Sequence, residues 1–452
     1  MQALLSLKKK LSLSVLYYLR WCARWQLKKN HPLVIGITGT AGKSSTMHAI
    51  DAVLQDHFLV KASYKANSES GLPLNILGLS LSNYGLVDWL RVIVLALWQL
   101  ISYWPRHQIY LAEMAIDSPF SPRNMSYLLS ILQPTIGVFL NAGSVHGDNF
   151  DNLATSTQPK KRKQEIIKLI AYEKGKMIQS LPENGLAVLS LDDPNVIAFR
   201  HLTQAPVLTF GNSASASVYF QNCQQSLKGT EFNFLINGKR HQLYFSSYLL
   251  PHHYGSSLAA AIAVGTYFKL TPDQIINSLK THYVLPPGRS SLIAGFNHSF
   301  ILDSSYNSSL QPLTDSLQLL SSIAPHRKIV LLGDMRELGT QTESEHQQLA
   351  PLIIKHSNLA ILVGPNMKKF VLPELEKNHH PCRWFKTSFE AGTWLRPQLK
   401  SQDMVLIKGS QNQLLLETAV ELLMANPTQA ESLLCRRGSY WQHQRQLLQT
   451  NH

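Results

Sequence analysis

Short apolar runs, many of them β-branched, alternate along this chain with longer stretches whose apolar positions recur at helical spacing. Leu33–Ile37, Ile109–Ala115, Thr135–Leu140 and Leu186–Leu191 read as buried strands, because a strand covered by helices on both faces is apolar throughout. Thr46–Leu54 and Leu258–Tyr267 read as helices. The pattern pauses at Leu285-Pro286-Pro287-Gly288, and a second cycle follows. Its strands are Ser299–Leu302, Lys328–Leu332, Ala360–Val363 and Met404–Lys408, and its helices Gln311–Ser321 and Ser344–His356. This alternation predicts an α/β protein with mostly parallel sheets and crossover helices. The chain divides into a basic leader over 1–30, a central domain over 31–290, and a smaller Rossmann-like α/β domain with a helical tail over 291–452.

Two segments bear on membranes. Val92–Trp104 is strongly apolar but bounded by Arg91 and interrupted by Gln99. It falls short of the ~20 residues a spanning helix needs and is expected to be a buried helix. Residues 1–30 carry Lys8, Lys9, Lys10, Arg20, Arg24, Lys28 and Lys29, no acid, and Trp21 and Trp25 among leucines. They predict a basic amphipathic helix, with two readings open: peripheral contact with an anionic membrane, or packing on the central domain with the basic face outward. No small-residue cleavage site follows, so a signal peptide is not expected.

Composition narrows the classes. The chain has 452 residues, 44% hydrophobic and 15% charged, which suits about three globular segments and excludes long disorder. A formal charge of +14 favours an anionic partner. Half of that excess sits in residues 1–30 and no recognition motif accompanies it, so nucleic acid is not expected. Cys22, Cys223, Cys382 and Cys435 are scattered, against a zinc ribbon or a disulfide framework and in favour of a reducing, cytoplasmic location.

The sharpest local signal is Gly39-Thr40-Ala41-Gly42-Lys43-Ser44-Ser45, between a predicted strand and a predicted helix. Glycines let backbone N–H groups converge on phosphate oxygens, and the helix N-terminus adds partial positive charge. Lys43 would reach the terminal phosphates and the Ser44 hydroxyl would hold Mg²⁺. The strict phosphate-loop pattern needs a glycine where Ile37 stands, so this loop is a variant. Glu113 and His146 fall at the ends of predicted strands, the edge where open α/β sheets bind ligands. Taken alone, Glu113 reads as a capped strand end and His146 as a turn histidine, though a carboxylate and an imidazole there can hold Mg²⁺.

The stretch Gly36–Thr46 resembles the nucleotide loop of the Mur ligases, and further motifs follow in that family's order. They are Asn67-Ser68-Glu69-Ser70-Gly71-Leu72-Pro73-Leu74, Ala112-Glu113-Met114-Ala115, Asn141-Ala142-Gly143-Ser144-Val145-His146 and Ile170-Ala171-Tyr172-Glu173-Lys174-Gly175. Gly288-Arg289, Asp303 to Asn307, Gly333-Asp334-Met335-Arg336-Glu337-Leu338-Gly339 and Lys408-Gly409-Ser410 complete the set. The resemblance covers about residues 31–425 and is nearest to the branch that adds D-alanyl-D-alanine.

It implies an ATP- and Mg²⁺-dependent ligase that activates a carboxylate as an acyl phosphate and joins it to an amine, in a monomer acting on a muropeptide-like substrate. Lys43, Glu113, His146 and Lys174 would be catalytic, with Lys174 matching the lysine that the family carbamylates. Ser44, Glu113, His146 and Lys174 would hold the metal. Gly39 to Ser45, Ser256, Arg289 and Asp303 would bind nucleotide, and Asn67, Gly71, Pro73, Asn307, Asp334 and Lys408 substrate. Departures are Ser256 where the family has an adenine-contacting asparagine, Asp303-Ser304 where paired acids are usual, and Lys176 in place of an acid. The phosphate loop begins soon after residue 30, so a separate UDP-gripping N-terminal domain is not expected. The alternatives are a folylpolyglutamate-synthetase-like ligase and a non-catalytic membrane-surface protein with the same fold.

Overall fold

The computed structural model describes residues 2–64, 66–81, 86–144, 147–246, 248–323, 326–410 and 413–450, with the side chains of 2–11, 86–87 and 448–450 outside that description. Contacts divide the chain into two compact units, one of residues 1–221, 233–242 and 255–283, the other of 222–232, 243–254 and 284–452.

The first sheet has nine strands: β1 (Leu33–Thr38), β2 (Val60–Ala62), β3 (Ile109–Glu113), β4 (Ile136–Phe139), β5 (Leu186–Ser190), β6 (Val207–Gly211), β7 (Val218–Ser226), β8 (Gly229–Ile236) and β9 (Lys239–Phe245). Their order is β2-β3-β1-β4-β5-β6-β7-β8-β9, and β2 to β6 run parallel with β1 among them. β1 lies between β3 and β4, with Ile37 beside Glu113 and Thr38 beside Phe139, so the carboxyl ends of three strands converge. That is the crevice where an open parallel sheet binds ligands. The strands β3, β4 and β5 are buried throughout, as their unbroken apolar runs require. At Gly36 of β1 a Cβ would stand 2.8 Å from the Met177 sulfur and from Pro134, so only glycine lets the covering helix approach this closely.

Helix α1 spans Gln2–Asn30, α2 Lys43–Leu54, α3 Gly71–Leu77, α4 Leu86–Ser102, α5 Met125–Ile131 and α6 Pro159–Gln179. The predicted basic helix thus forms, and it packs on the first unit through Leu16, Leu19, Cys22 and Ala23. Among the described residues no helix is long and apolar enough to cross a membrane.

Two expectations need correction. The segment Val92–Trp104 is helical over most of its length, but only one side of it is buried: Val94, Trp98, Ile101 and Trp104 are exposed. The helix expected over Ser344–His356 is two helices, Thr342–Gln347 and Leu349–His356. The ribbon β7 to β9 escaped the apolar-run reading because β7 and β9 are only partly buried and Glu231 and Asn233 interrupt the apolar run of β8. Asn237 and Gly238 both take positive φ (49° and 78°) in the tight turn between β8 and β9, the turn chemistry of a hairpin.

The second sheet comprises β10 (Ser291–Gly295), β11 (Ser299–Ser304), β12 (Lys328–Gly333), β13 (Leu359–Val363), β14 (Cys382–Phe385) and β15 (Met404–Lys408), ordered β10-β11-β15-β12-β13-β14. All neighbours are parallel except β10 and β11. Ser304 and Leu332 both pair with Lys408, which places Asp303, Asp334 and Lys408 at one edge of the sheet.

Candidate active site

In the first unit the loop after β1 turns into α2 at Gly42, whose φ of 85° is left-handed. A residue with a Cβ resists that conformation by roughly 1–2 kcal/mol. The loop is held from behind by Asn141 at the end of β4. Its Oδ1 accepts from the N–H groups of Thr40 (3.0 Å) and Ala41 (2.9 Å), and its Nδ2 donates to the Ala41 carbonyl (3.1 Å). The Thr40 hydroxyl accepts from the Gly143 N–H at 2.8 Å, and Asp193 accepts from the Ala142 N–H at 2.7 Å. The loop is therefore fixed by side chains from two neighbouring strand ends. Lys43 Nζ donates to the carbonyls of Gly39 (2.9 Å) and Thr40 (3.3 Å), so the ammonium is folded over the loop that would receive phosphates.

Beside it, the Ser44 hydroxyl donates to Glu113 Oε2 at 2.7 Å, and Asn67 Nδ2 donates to Glu113 Oε1 at 3.1 Å. The Glu113 N–H donates to the Ser63 hydroxyl, and the carboxylate is only 6% exposed. Hydroxyl and carboxylate oxygens side by side suit a hard cation such as Mg²⁺, which keeps water and phosphate oxygens for its remaining positions. Among the described residues no cluster of three His, Cys, Asp or Glu side chains stands ready to hold a metal. Ser44 and Glu113 thus form a two-residue seat that substrate phosphates would complete. His146 lies outside the described residues.

Lys174, on α6, is 3% exposed. Burial first, and the Lys43 charge second, lower its ammonium pKa to about 7, while Asp117 pulls the other way. A buried amine neutral near physiological pH is a nucleophile rather than an ion-pair cation. Gly175 beside it has Phe199 against its Cα, leaving no room for a Cβ. Ser256 lies in the first turn of the helix Tyr254–Tyr267, next to Ser257, whose Oγ is 3.2 Å from where a Cβ on Gly42 would stand. Gly71 opens α3 and Pro73 is buried in its first turn, both a few residues from Asn67.

In the second unit Arg289 stacks 4.5 Å over the Tyr306 ring, and its Nε is buried without a partner. Asp303 is fully buried; its Oδ1 accepts from the Ser305 N–H, its Oδ2 has no partner, and burial raises its pKa. Lys408 donates to the Asn307 carbonyl at 3.0 Å, and burial followed by the nearby Arg289 charge lowers its pKa to about 8. Arg289, Asp303, Asn307 and Lys408 therefore form one cluster. Asp334 stands apart in role: both its oxygens accept from the N–H groups of Asn366 and Met367, so its carboxylate braces the turn after β13.

Sequence reasoning gave Asn141 only as part of a motif and passed over Asp117, Asp193 and Ser63. Asp117, four residues beyond the end of β3, was the most legible of these, since acids past parallel strand ends face the ligand crevice.

Residues 105–265 match the Mur ligase middle domain and residues 288–411 the Mur ligase glutamate ligase domain, together more than half of the chain. A UDP-N-acetylmuramoyl-tripeptide–D-alanyl-D-alanine ligase of Synechocystis is 26% identical over 420 residues, 91% of this chain and 79% of that protein. The enzyme of the same name in Bacillus subtilis is 25% identical over 74% of this chain and 63% of its own length. The fold is shared with the MurF ligase of Thermotoga maritima solved with ADP, at a TM-score of 0.72 and 22% identity, covering 92% of this chain and 84% of that one. It is also shared with Mycobacterium tuberculosis folylpolyglutamate synthase solved with ADP, at a TM-score of 0.61 and 14% identity over 95% of each chain.

Proposed function

Because the chain belongs to the Mur ligase family, we propose that it is an ATP-dependent ligase that joins a dipeptide such as D-alanyl-D-alanine to the peptide carboxylate of a muropeptide precursor. The observation that carries this reading is the Ser44–Glu113 pair beside the braced loop of Lys43. The relatives named for this reaction supply the substrate class.

Mg²⁺-ATP, when bound, supplies the phosphoryl group. Lys43 would neutralise phosphate charge, and Ser44 and Glu113 would hold the cation, with Asn67 fixing the carboxylate's second oxygen. ATP and the substrate carboxylate are both anionic, so this preset positive field lowers the barrier more than any proton transfer does. The substrate carboxylate gives one oxygen to the transferred phosphoryl group. An amine then attacks the acyl carbon, and phosphate leaves with that oxygen. Lys174, about half deprotonated at pH 7, is suited to add its nitrogen to CO₂ and release a proton, which turns a buried cation site into an anionic oxygen donor. Arg289, Asp303, Asn307 and Lys408 are assigned to nucleotide and amine, as are Ser256 to the nucleotide and Gly71, Pro73 and Asp334 to the substrate side. A monomer, a cytoplasmic location and contact of α1 with an anionic membrane belong to the same reading.

The test is ADP release with UDP-N-acetylmuramoyl-tripeptide and D-alanyl-D-alanine together, against either alone. Turnover is expected only with both. Turnover instead with a folate and glutamate would favour the second reading, which the fold of folylpolyglutamate synthase keeps in view.

A further inference from the structure

Helix α4 is apolar over most of its circumference, with Asp88, Arg91, Gln99 and Ser102 gathered along one strip, and only one side of its apolar surface is covered. Val92 and Ala96 are buried against Leu19, Cys22, Leu74 and Leu77, and the Tyr18 hydroxyl donates to the Ile93 carbonyl. On the other side Leu90, Val94, Leu97, Trp98 and Ile101, at helical spacing, are exposed by 49% to 71%, and Trp104 follows at 65%. The Trp104 indole N–H donates to the Ile101 carbonyl, so its ring extends the same stripe. The stripe exposes on the order of 600 Å² of apolar surface, at the upper end of what a soluble monomer leaves contiguous.

Cations surround it. Lys29 of α1 sits 3.5 Å over the Trp104 ring, joining the stripe to the exposed Trp21–Trp25 pair one to two turns earlier on α1, and Lys28 lies over Trp25. Arg24, Lys28 and Arg91 are exposed at these helices, and Arg106 follows just beyond α4. Across residues 1–30 and 86–106 Asp88 is the single acid. Tryptophans with cations on their rings, around an aliphatic strip, match a bilayer boundary, where indoles sit among headgroups and cations meet anionic phosphates. A protein partner would have to bring a matching excess of acids.

We propose that the exposed face of α4, with Trp104, inserts into the boundary of an anionic lipid bilayer, and that the cations of α1 hold it there. This rests on the reading of α1 as a membrane contact but assigns insertion to a different helix, and it does not depend on the ligase reading.

The full chain is sedimented with vesicles of mixed phosphatidylglycerol and phosphatidylcholine and with phosphatidylcholine alone. The protein is expected to sediment with the mixed vesicles, less so at high salt. W98S/I101S, changing two exposed side chains, is expected to lower vesicle affinity about tenfold or more while melting temperature and ATP binding stay unchanged. Binding by W98S/I101S equal to the parent overturns the proposal. If R24Q/K28Q then loses binding, the α1 contact stands and insertion through α4 does not. A parent dimer that W98S/I101S converts to monomer also overturns it, by making the stripe an interface between copies.

Discussion

Ser44 and Glu113 are 69 residues apart in sequence, yet the serine hydroxyl donates to the glutamate Oε2 at 2.7 Å. The parallel pairing of β1 with β3 makes this contact, since Ile37 lies beside Glu113 and Ser44 stands in the first turn of the helix just after the loop. E113Q keeps the side-chain volume and a partner for both neighbours but removes the charge. It should lower substrate-dependent ADP release by about 10²–10³-fold with little change in melting temperature. Near-parental turnover would show that the carboxylate does not hold the metal.

Lys43 donates to two carbonyls of its own loop, contacts local to the phosphate site, so K43M should cost little stability. Its loss should appear in kcat/KM for ATP, about 10²-fold or more. Steady-state kinetics beside a thermal melt separate the two effects.

Asn141 serves three backbone groups of the loop. N141A leaves them without that partner and should destabilise the protein by about 1–3 kcal/mol in denaturant unfolding. ATP affinity should fall with it, because the loop loses the brace that shapes it.

Lys174 should make both stability and activity depend on pH. Its pKa is about 7 in the folded chain and about 10.4 unfolded, so the unfolded state binds the extra proton between those values. The penalty for burying the ammonium is fully present below about pH 7 and fades as pH rises toward about 10. K174M should remove this stabilisation with rising pH. If the amine is carbamylated, parental activity should rise with added bicarbonate and with pH through about 7, and K174M should respond to neither.

The phosphate loop was legible in the sequence because strand, glycine turn and helix are consecutive, and each signal is local. The alternation of apolar runs likewise gave the two parallel sheets. Glu113 and Asn67 were legible only through the family resemblance, because register between distant strands sets their contact and no local pattern encodes it. Asn141 works through side-chain bonds to a loop 100 residues earlier, which composition cannot show. The apolar stretch of α4 was read as buried because hydrophobicity says that a surface prefers cover, not whether this chain supplies it. No local pattern shows that Asp334, past β12, gives its oxygens to the backbone N–H groups of Asn366 and Met367.

The central claim is that the phosphoryl group of ATP passes to a substrate carboxylate above Lys43, Ser44 and Glu113. Its most direct measurement uses UDP-N-acetylmuramoyl-tripeptide labelled with ¹⁸O in the reacting carboxyl group, with D-alanyl-D-alanine, ATP and Mg²⁺. The account predicts that each inorganic phosphate released carries one oxygen from that carboxyl group. Phosphate whose new oxygen comes from water, with the label left in the peptide, would contradict it.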